Sequence, residues 1–424
     1  MGENGYKIKR KKFIPGVTYV PVTAKVFDKE EINNAVKVAR DGWWTEGEFA
    51  KTFEREFGKF MGVRYVTLVN SGSSANLLAL ASLTSKIFGE RALKAGDEFI
   101  TTPVAFPTTV NPGIFYGLKP VFIDAELDTL NIDASKIEKA ITAKTKLIMM
   151  AHTLGKPFNL DKVTTLAKKH NLWLIEDCCD ALGSRYNGQL VGTFGDISTN
   201  SFYPAHQITM AEGGAVITNN PVIHRTLRQF RDWGRDCWCD TGKDNTCHKR
   251  FKWKMGDLPY GYDHKFIYSQ IGFNLKLTDF QAAIGVAQIK KLPVFIRTRK
   301  QNYQKLYEFF KQYDRYFILM KTNEKEDPCW FGFPVIVKPT APFSRTQLTE
   351  FLENNKIGSR NVFSGNLLRH PAYKVLEYRI YGKIVNADMV MNGAFWLGVY
   401  PGIGDKQIDY MKAKISEFIS SYIE

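Results

Sequence analysis

The sequence predicts an α/β protein with a large domain, built on a mainly parallel sheet flanked by helices, and a smaller C-terminal α+β domain. Up to about residue 290, short apolar runs alternate with helical patterns. Runs that are apolar along their whole length are typical of parallel strands covered by helices on both faces. From the helical stretch "TDFQAAIGVAQIKKL" onward the pattern changes. We therefore expect a large domain over residues 1–290 and a small domain over residues 291–424.

The strands of the large domain are predicted from apolar runs bounded by turn residues. In chain order they occupy residues 65–70, 97–103, 119–125, 146–152 and 172–180. Helical patterns such as "SSANLLALASL" and "LDKVTTLAKKHN" lie between them. In the second part, "GFPVIVKP", "SRTQLTEFLENNKIGS" and "KQIDYMKAKISEFISSYI" indicate mixed strand and helix.

The stretch 234–265 has little periodicity and contains three cysteines. A loop of this length without its own secondary structure is usually functional or disordered, and the cysteines favour a functional role.

Composition narrows the class of protein. The chain has 424 residues, 44% hydrophobic and 24% charged, with a formal net charge of +15. No apolar run approaches the roughly 20 residues that span a bilayer, and no apolar leader follows the basic start, so we expect a cytoplasmic protein without membrane insertion. The positive charge is spread along the chain, which argues against nucleic acid and favours a phosphorylated substrate or an acidic redox partner.

Two motifs indicate a site for a phosphorylated pyridine cofactor. "LVNSGSSANLLAL" places a strand, a turn and a helix in order, so Gly72, Ser73 and Ser74 offer N–H groups and hydroxyls to a phosphate. Such a turn is by itself more often structural. Asp177 ends an apolar strand, where α/β proteins bind ligands, and a carboxylate there can keep a pyridine nitrogen protonated. Phe106 is a candidate to stack on the ring.

The order of "EDCCDALG", "SFYPAHQITMAEGG" and "GFNLKLTDFQAAIG" resembles the fold-type I, pyridoxal phosphate-dependent aminotransferases and dehydrases that act on nucleotide-linked keto-sugars. The likeness runs from about residue 41 to residue 285. It implies that a shared set of residues binds the cofactor: Gly72, Ser73 and Ser201 at the phosphate, Phe106 and Asp177 at the ring. It also implies a homodimer, in which Asn274 reaches the phosphate of the neighbouring subunit. Asp180 stands where most relatives carry a Gln or His that binds the ring hydroxyl.

His206 occupies the place of the lysine that binds the cofactor covalently in the aminotransferases. Among the relatives this replacement marks the sugar 3-dehydrases. Imidazole cannot hold the cofactor covalently, so the resemblance implies freely bound pyridoxamine phosphate (PMP). Histidine side chains exchange protons readily, so His206 is suited to act as the general base while the sugar loses its C-3 hydroxyl.

The cysteines bear on the subclass. Cys179, Cys237, Cys239 and Cys247 follow the pattern C-x57-C-x-C-x7-C, whereas Cys178 falls outside it and is expected to be a packed thiol. Thiolates bind both 2Fe–2S clusters and zinc, and the spacing alone does not choose between them. The pattern resembles that of the reductive iron–sulfur 3-dehydrases. It implies CDP-4-keto-6-deoxy-D-glucose as substrate and a separate NADH-dependent flavin/iron–sulfur reductase as electron donor.

Three alternatives stay open. A cluster-free 3-dehydratase would share His206 and regenerate its cofactor from glutamate. A reductive dehydrase acting on a dTDP-linked 4-keto-2,6-dideoxy sugar would share both the histidine and the cysteines. A non-catalytic cofactor-binding protein would have lost the lysine through decay.

Overall fold

The computed structural model describes residues 6–10 and 12–422. The α-helices of these residues are α1 (Lys29–Asp41), α2 (Glu48–Met61), α3 (Gly72–Ser82), α4 (Pro107–Phe115), α5 (Ile137–Ala140), α6 (Leu160–Lys169), α7 (Pro221–Arg231), α8 (Asp279–Lys311), α9 (Arg345–Asn354), α10 (Asn386–Gly393) and α11 (Asp405–Ser420). The strands are β1 (Tyr65–Val69), β2 (Glu98–Thr101), β3 (Lys119–Ile123), β4 (Thr145–Ala151), β5 (Trp173–Asp177), β6 (Arg185–Tyr186), β7 (Gln189–Leu190), β8 (Ile197–Ser201), β9 (Gly214–Thr218), β10 (Phe317–Leu319), β11 (Glu326–Asp327), β12 (Gly332–Val337), β13 (Ser359–Asn361), β14 (Arg379–Tyr381) and β15 (Ala394–Gly398).

A large mixed sheet forms the centre of the protein, with the strand order β1-β9-β8-β5-β4-β2-β3-β14. The strands from β8 to β14 in this order pair in parallel. Strand β9 runs antiparallel to both β8 and β1. The prediction of an α/β fold with a mainly parallel sheet is confirmed, and the antiparallel end is an addition that the apolar runs did not indicate.

Helices cover both faces of this sheet, so every residue of its central strands β2, β5 and β8 is buried. On one face, α3, α4 and α7 contribute Leu78, Val110 and Leu227 to a buried core. On the other face, α5 and α6 contribute Ile137 and Val163. Every residue of β5 is buried between these layers.

The smaller sheet has the order β10-β12-β15-β13 and is antiparallel. Its core includes Phe333, Phe395 and Ile415, and Val20 and Val22 from the start of the chain join it. The predicted domain boundary at residue 290 falls inside helix α8, which runs unbroken from the large sheet to the small one. Strand β14 follows that boundary in the sequence but pairs with β3 in the large sheet.

The stretch 234–265 contains no α-helix and no strand, as the missing periodicity predicted; it carries one isolated β-bridge at Arg235, and a short 3-10 turn begins at His264. None of the helices in the described part of the chain is both long and apolar enough to cross a membrane. The cytoplasmic location expected from the sequence stays a prediction.

Candidate functional site

A cavity of about 1150 Å³ opens at the carboxyl ends of the parallel strands, between the large and the small sheet. Ligands of open α/β sheets bind at this edge. Most of the residues predicted from the sequence line the cavity, namely Gly72, Ser73, Phe106, Asp177, Cys179, Asp180, Ser201 and His206. The sheet therefore gathers side chains from four separate segments into one site.

The N-terminus of α3 meets the end of β8 at the floor of the cavity. A Cβ atom built on Gly72 would lie 2.5 Å from Ser201 Cβ and 2.8 Å from its Oγ, so only glycine fits there. The first N–H groups of an α-helix have no intrahelical acceptor, which makes this end of α3 suited to bind an anion. Ser71 Oγ caps the helix by accepting from the Ser74 N–H at 3.0 Å and donates to Ser74 Oγ. Ser74 thus belongs to the cap, while Gly72 and Ser73 face the cavity.

Asp177 is the last residue of β5, and its carboxylate is oriented by three hydrogen bonds. Asn76 Nδ2 and Thr109 Oγ1 donate to Oδ2 at 2.8 and 2.7 Å, and the Cys179 N–H donates to Oδ1 at 3.1 Å. Thr199 Oγ1 in turn donates to Asn76 Oδ1 at 2.6 Å and fixes the orientation of that amide. A carboxylate oxygen accepts more than one hydrogen bond, so Oδ1 retains the capacity to accept from a ring N–H in the cavity.

His206 lies on the loop between β8 and β9. Its Nδ1 is 3.3 Å from Asp180 Oδ1, and its ring centroid is 5.2 Å from that of Phe331. Burial raises the pKa of the Asp180 carboxyl above its ordinary value, while the neighbouring imidazole of His206 opposes this shift. The place of Asp180 among the cofactor-binding residues stays a prediction, and the structure adds a contact with His206 that the sequence did not indicate.

Phe106 precedes α4, and half of its surface is exposed to the cavity. Its ring lies edge-on to that of Phe363, with centroids 6.2 Å apart. Phe363 belongs to the small-domain segment that closes the cavity on the opposite side, together with Arg360, Asn361, Ser364 and His370. Sequence reasoning missed this group because its members lie in or after the short strand β13 and carry no motif.

Asn274 does not line the cavity of its own chain. It is exposed and forms an isolated β-bridge with Asp232. Asp232 precedes the cysteine-rich loop 234–265 and Asn274 follows it, so the bridge joins the two sides of the loop. Its predicted contact with a neighbouring subunit stays a prediction.

Three of the four predicted metal ligands come together in the loop 234–265. The Sγ atoms of Cys237, Cys239 and Cys247 all lie within 4.8 Å of one another. Burial would raise the pKa of the Cys239 thiol, but hydrogen bonds from Thr246 and from the Cys247 N–H outweigh it and lower that pKa to about 7. A thiol with a lowered pKa ionises readily, and the thiolate is the form that binds a metal.

Cys179 is not part of this group of three. Its Sγ lies at the floor of the cavity, 3.1 Å from the Cβ position of Gly72. Burial, together with the neighbouring Asp177, raises the pKa of the Cys179 thiol. Its role as a metal ligand stays a prediction. Cys178 points the other way and is buried in the core, as expected of a packed thiol.

Comparison with known proteins agrees with this architecture. A profile of the DegT/DnrJ/EryC1/StrS aminotransferase family matches residues 25–416. The chain is 52% identical over 408 residues to the lipopolysaccharide biosynthesis protein RfbH of Salmonella typhimurium, an alignment that covers 96% of this chain and 93% of the relative. It is 48% identical over 408 residues to the dTDP-4-dehydro-2,6-dideoxy-D-glucose 3-dehydratase of Saccharopolyspora spinosa, covering 96% of this chain and 88% of the relative.

Among solved structures, the chain is similar to the E. coli GDP-4-keto-6-deoxy-D-mannose-3-dehydratase with bound hydrated pyridoxal phosphate (PLP). The TM-score is 0.83 at 30% identity, and the match covers 94% of this chain and 99% of the other. The fold-type I prediction is therefore confirmed. On the evidence of its sheet, its cavity and these matches, the chain belongs to the DegT/DnrJ/EryC1/StrS aminotransferase family.

Proposed function

We propose that this protein is a sugar 3-dehydrase that removes the C-3 hydroxyl of a nucleotide-linked 4-keto-6-deoxyhexose. The observation that carries the proposal is the position of His206, which lines the same cavity as Gly72 and Asp177. Its Nδ1 lies 3.3 Å from Asp180 Oδ1. Among the described residues that line this cavity, none is a lysine. The 3-dehydratase names of relatives that match almost the whole chain support the same conclusion.

The cavity fits PMP or PLP on two structural grounds. The close approach of Gly72 to Ser201 leaves an anion cradle that a Cβ would fill. The buried Asp177 carboxylate lines the same cavity, and its Oδ1, which accepts one hydrogen bond from the Cys179 N–H, can accept another. PMP supplies, when bound, an amine for the 4-keto group and a ring that draws electrons from the carbon next to it. Gly72, Ser73 and Ser201 would hold the phosphate, and Asp177 and Phe106 the ring.

His206 would accept and return a proton within the cavity. An imidazole carries a ring nitrogen that accepts a proton, which is the chemistry of a general base. The Phe331 ring and the surrounding loop leave only 13% of the His206 side chain exposed, which limits competing exchange with water. Because imidazole forms no stable covalent bond with the cofactor, His206 leaves the amine of PMP available to the sugar.

We propose a CDP-linked sugar, CDP-4-keto-6-deoxy-D-glucose, as the substrate, for deoxysugar and lipopolysaccharide biosynthesis. The similarity to a lipopolysaccharide biosynthesis protein supports the pathway class. The cavity volume of about 1150 Å³ exceeds the roughly 300–1,000 Å³ of a typical ligand pocket, as a cofactor and a nucleotide sugar together require. Arg360 at the rim is a candidate for binding the diphosphate.

We further propose that the reaction is reductive and uses a 2Fe–2S cluster in the cysteine-rich loop. The convergence of Cys237, Cys239 and Cys247 supports a metal centre there. The cluster supplies, when bound, single electrons from an NADH-dependent flavin/iron–sulfur reductase. Exposed basic residues suit an acidic reductase, and they are Lys243, Lys249, Lys252 and Lys254.

We also propose that the protein is a homodimer. The segment that carries the cysteines and Asn274 also exposes large apolar side chains, which is typical of an interface. Ile271 is 93% exposed and Tyr260 is 73% exposed, and Phe251 and Tyr268 are exposed by more than half.

One experiment tests the reaction. The chain, purified without oxygen, is supplied with PMP, the reductase, NADH and CDP-4-keto-6-deoxy-D-glucose, and the product is analysed by mass spectrometry. A sugar that lacks the C-3 oxygen is expected. Turnover that needs glutamate but no reductase would identify the cluster-free dehydratase. Cofactor binding without any turnover would contradict an enzymatic role. Replacing the substrate by its dTDP or GDP analogue tests the base, since kcat/KM should be highest for CDP.

The metal centre is tested by iron, sulfide and zinc content. About two irons and two sulfides per chain would support the cluster, whereas zinc would contradict it. The variants Cys179→Ser and Cys247→Ser should both lose iron. Cys178→Ser is the matched control, because Cys178 is the neighbour of Cys179 in the sequence and its thiol is buried in the core. It should keep its iron. Retention of iron in Cys179→Ser would remove Cys179 from the ligand set.

A further inference from the structure

Asp180 and His206 form a pair of nearly buried side chains at the edge of the cavity. Asp180 Oδ1 lies 3.3 Å from His206 Nδ1, and the two side chains are 9% and 13% exposed. Among the described residues, neither His206 Nδ1 nor Asp180 Oδ2 makes a hydrogen bond, and the 3.3 Å approach to Asp180 Oδ1 is an ion-pair contact of the imidazole. The contact with Asp180 is therefore the polar contact that orients the imidazole.

The backbone on both sides of this contact is held in place. Gln207 Nε2 donates to the Asp180 carbonyl oxygen at 2.5 Å. Arg299, fully buried on α8, donates from Nη2 to the His206 carbonyl oxygen at 3.0 Å and from Nη1 to the Phe331 carbonyl oxygen at 2.9 Å. The loop that carries His206 is thus anchored through its main chain, and the rotation of its ring depends on Asp180.

A carboxylate only accepts hydrogen bonds, whereas a neutral imidazole donates from one nitrogen and accepts at the other. Facing Asp180, the Nδ1 of His206 carries the proton, and the Nε2 lone pair is left to accept one. Which nitrogen acts as the base is set in this way by the partner of the other nitrogen.

We propose that Asp180 is the positioning residue of His206, fixing the Nδ1–H tautomer and the ring orientation so that Nε2 serves as the proton acceptor. The proposal rests on the proposed function, in which His206 is the base. It gives Asp180 a role different from that of the Gln or His that most relatives carry at this position to bind the ring hydroxyl. In catalytic triads, asparagine in place of the aspartate behind a histidine leaves the geometry intact but lowers kcat by about 10⁴, because it stabilises the wrong tautomer.

The first test measures the tautomer of His206 in the cofactor-free protein. The nitrogen shifts of His206 are measured by NMR in chain labelled at its histidines, at a pH about two units above the ordinary imidazole pKa of about 6.5. His206→Asn identifies the resonances by their loss. We expect the Nδ1–H tautomer in the wild type and a shift towards Nε2–H in Asp180→Asn. Asp314→Asn is a matched control, because Asp314 is an exposed carboxylate remote from the cavity.

In the PMP-loaded enzyme, Asp180→Asn should lower kcat about 100-fold or more, within the roughly 10²–10⁴-fold effect of general acid–base catalysis. The affinity for PLP and its absorbance spectrum should stay unchanged. A changed spectrum and affinity with an unchanged His206 tautomer would overturn the proposal in favour of a ring-hydroxyl contact. If Asp180→Asn does not fold, the wild-type spectrum decides alone, since an Nε2–H tautomer there refutes the assignment. The His206 tautomer and the PLP spectrum are measured without turnover. The pairing can therefore fail while dehydrase activity is present, and dehydrase activity can be absent while the pairing holds.

Discussion

Replacing Gly72 by alanine should disrupt both the fold and the phosphate cradle, because the new methyl group has no room. Its Cβ would lie 2.5 Å from Ser201 Cβ and 3.1 Å from Cys179 Sγ. Carbon atoms in favourable contact are about 3.5–4.0 Å apart, so α3 must move away from β8 by about 1 Å. Overpacking of this kind costs about 1–3 kcal/mol of folding free energy.

The same displacement carries the N–H groups of Gly72 and Ser73 away from the Ser201 hydroxyl. A hydrogen bond to a charged group contributes about 1.5–3 kcal/mol, and 1.4 kcal/mol is a factor of ten in affinity. Losing one such bond should therefore weaken PLP binding about 10- to 100-fold. Urea unfolding of the cofactor-free chain measures the first effect, and titration of PLP followed by absorbance measures the second.

The matched control is Ser73→Ala, which alters the next residue of the same turn at an exposed position and should leave the urea midpoint unchanged. Ser201→Gly removes both of the closest atoms, so the cost of Gly72→Ala should be smaller on that background than on the wild type. A Gly72→Ala variant with wild-type stability and PLP affinity would refute the reasoning. So would a cost that is equal on the two backgrounds.

Three further predictions concern the base, the dimer and the pH dependence of folding. His206→Lys should bind PLP through a covalent bond that borohydride reduction makes visible by mass spectrometry, and it should lose dehydration; continued dehydration would refute the base assignment. His206→Asn and Asn274→Ala should each be inactive alone, but mixing them should restore activity, because one site of the mixed dimer then keeps both residues. Burial raises the pKa of Glu54 from 4.5 to about 7. The stability that this group contributes is therefore full below its unfolded pKa and is lost as the pH rises towards 7, by at most about 3.4 kcal/mol at about 1.36 kcal/mol per pKa unit. Glu54→Gln should remove this loss, so that its urea midpoint falls less than that of the wild type between about pH 5 and pH 8; parallel midpoints would contradict it.

Features that depend on a short stretch of chain could be predicted from the sequence. The apolar run that ends at Asp177 forms the buried strand β5 because a strand covered on both faces has no polar alternation. The serine at position 71 caps α3 because its hydroxyl reaches an N–H three residues ahead. The lack of periodicity in residues 234–265 predicted a loop, because amphipathic helices and half-buried strands both show a repeating apolar pattern.

Features that depend on pairing across the chain could not be predicted in this way. The residues of strand β14 do not show which sheet it joins, and it pairs with β3 because the chain returns to the large sheet after β13. The contact of Asp180 with His206 joins two loops that are 26 positions apart and have no shared motif. The separation of Cys179 from the other three cysteines is also invisible in their spacing.

The sequence by itself determined five strands of the large sheet and the residue types of the site, because an apolar run and a histidine in the place of a lysine are local properties. The tertiary structure decided which of those residues meet. It placed Asp177 and Gly72 on one cavity, turned His206 towards Asp180 and kept Cys179 in that cavity. The physical reason is that the sheet order brings strand ends together irrespective of their distance in sequence, and no local pattern records that order.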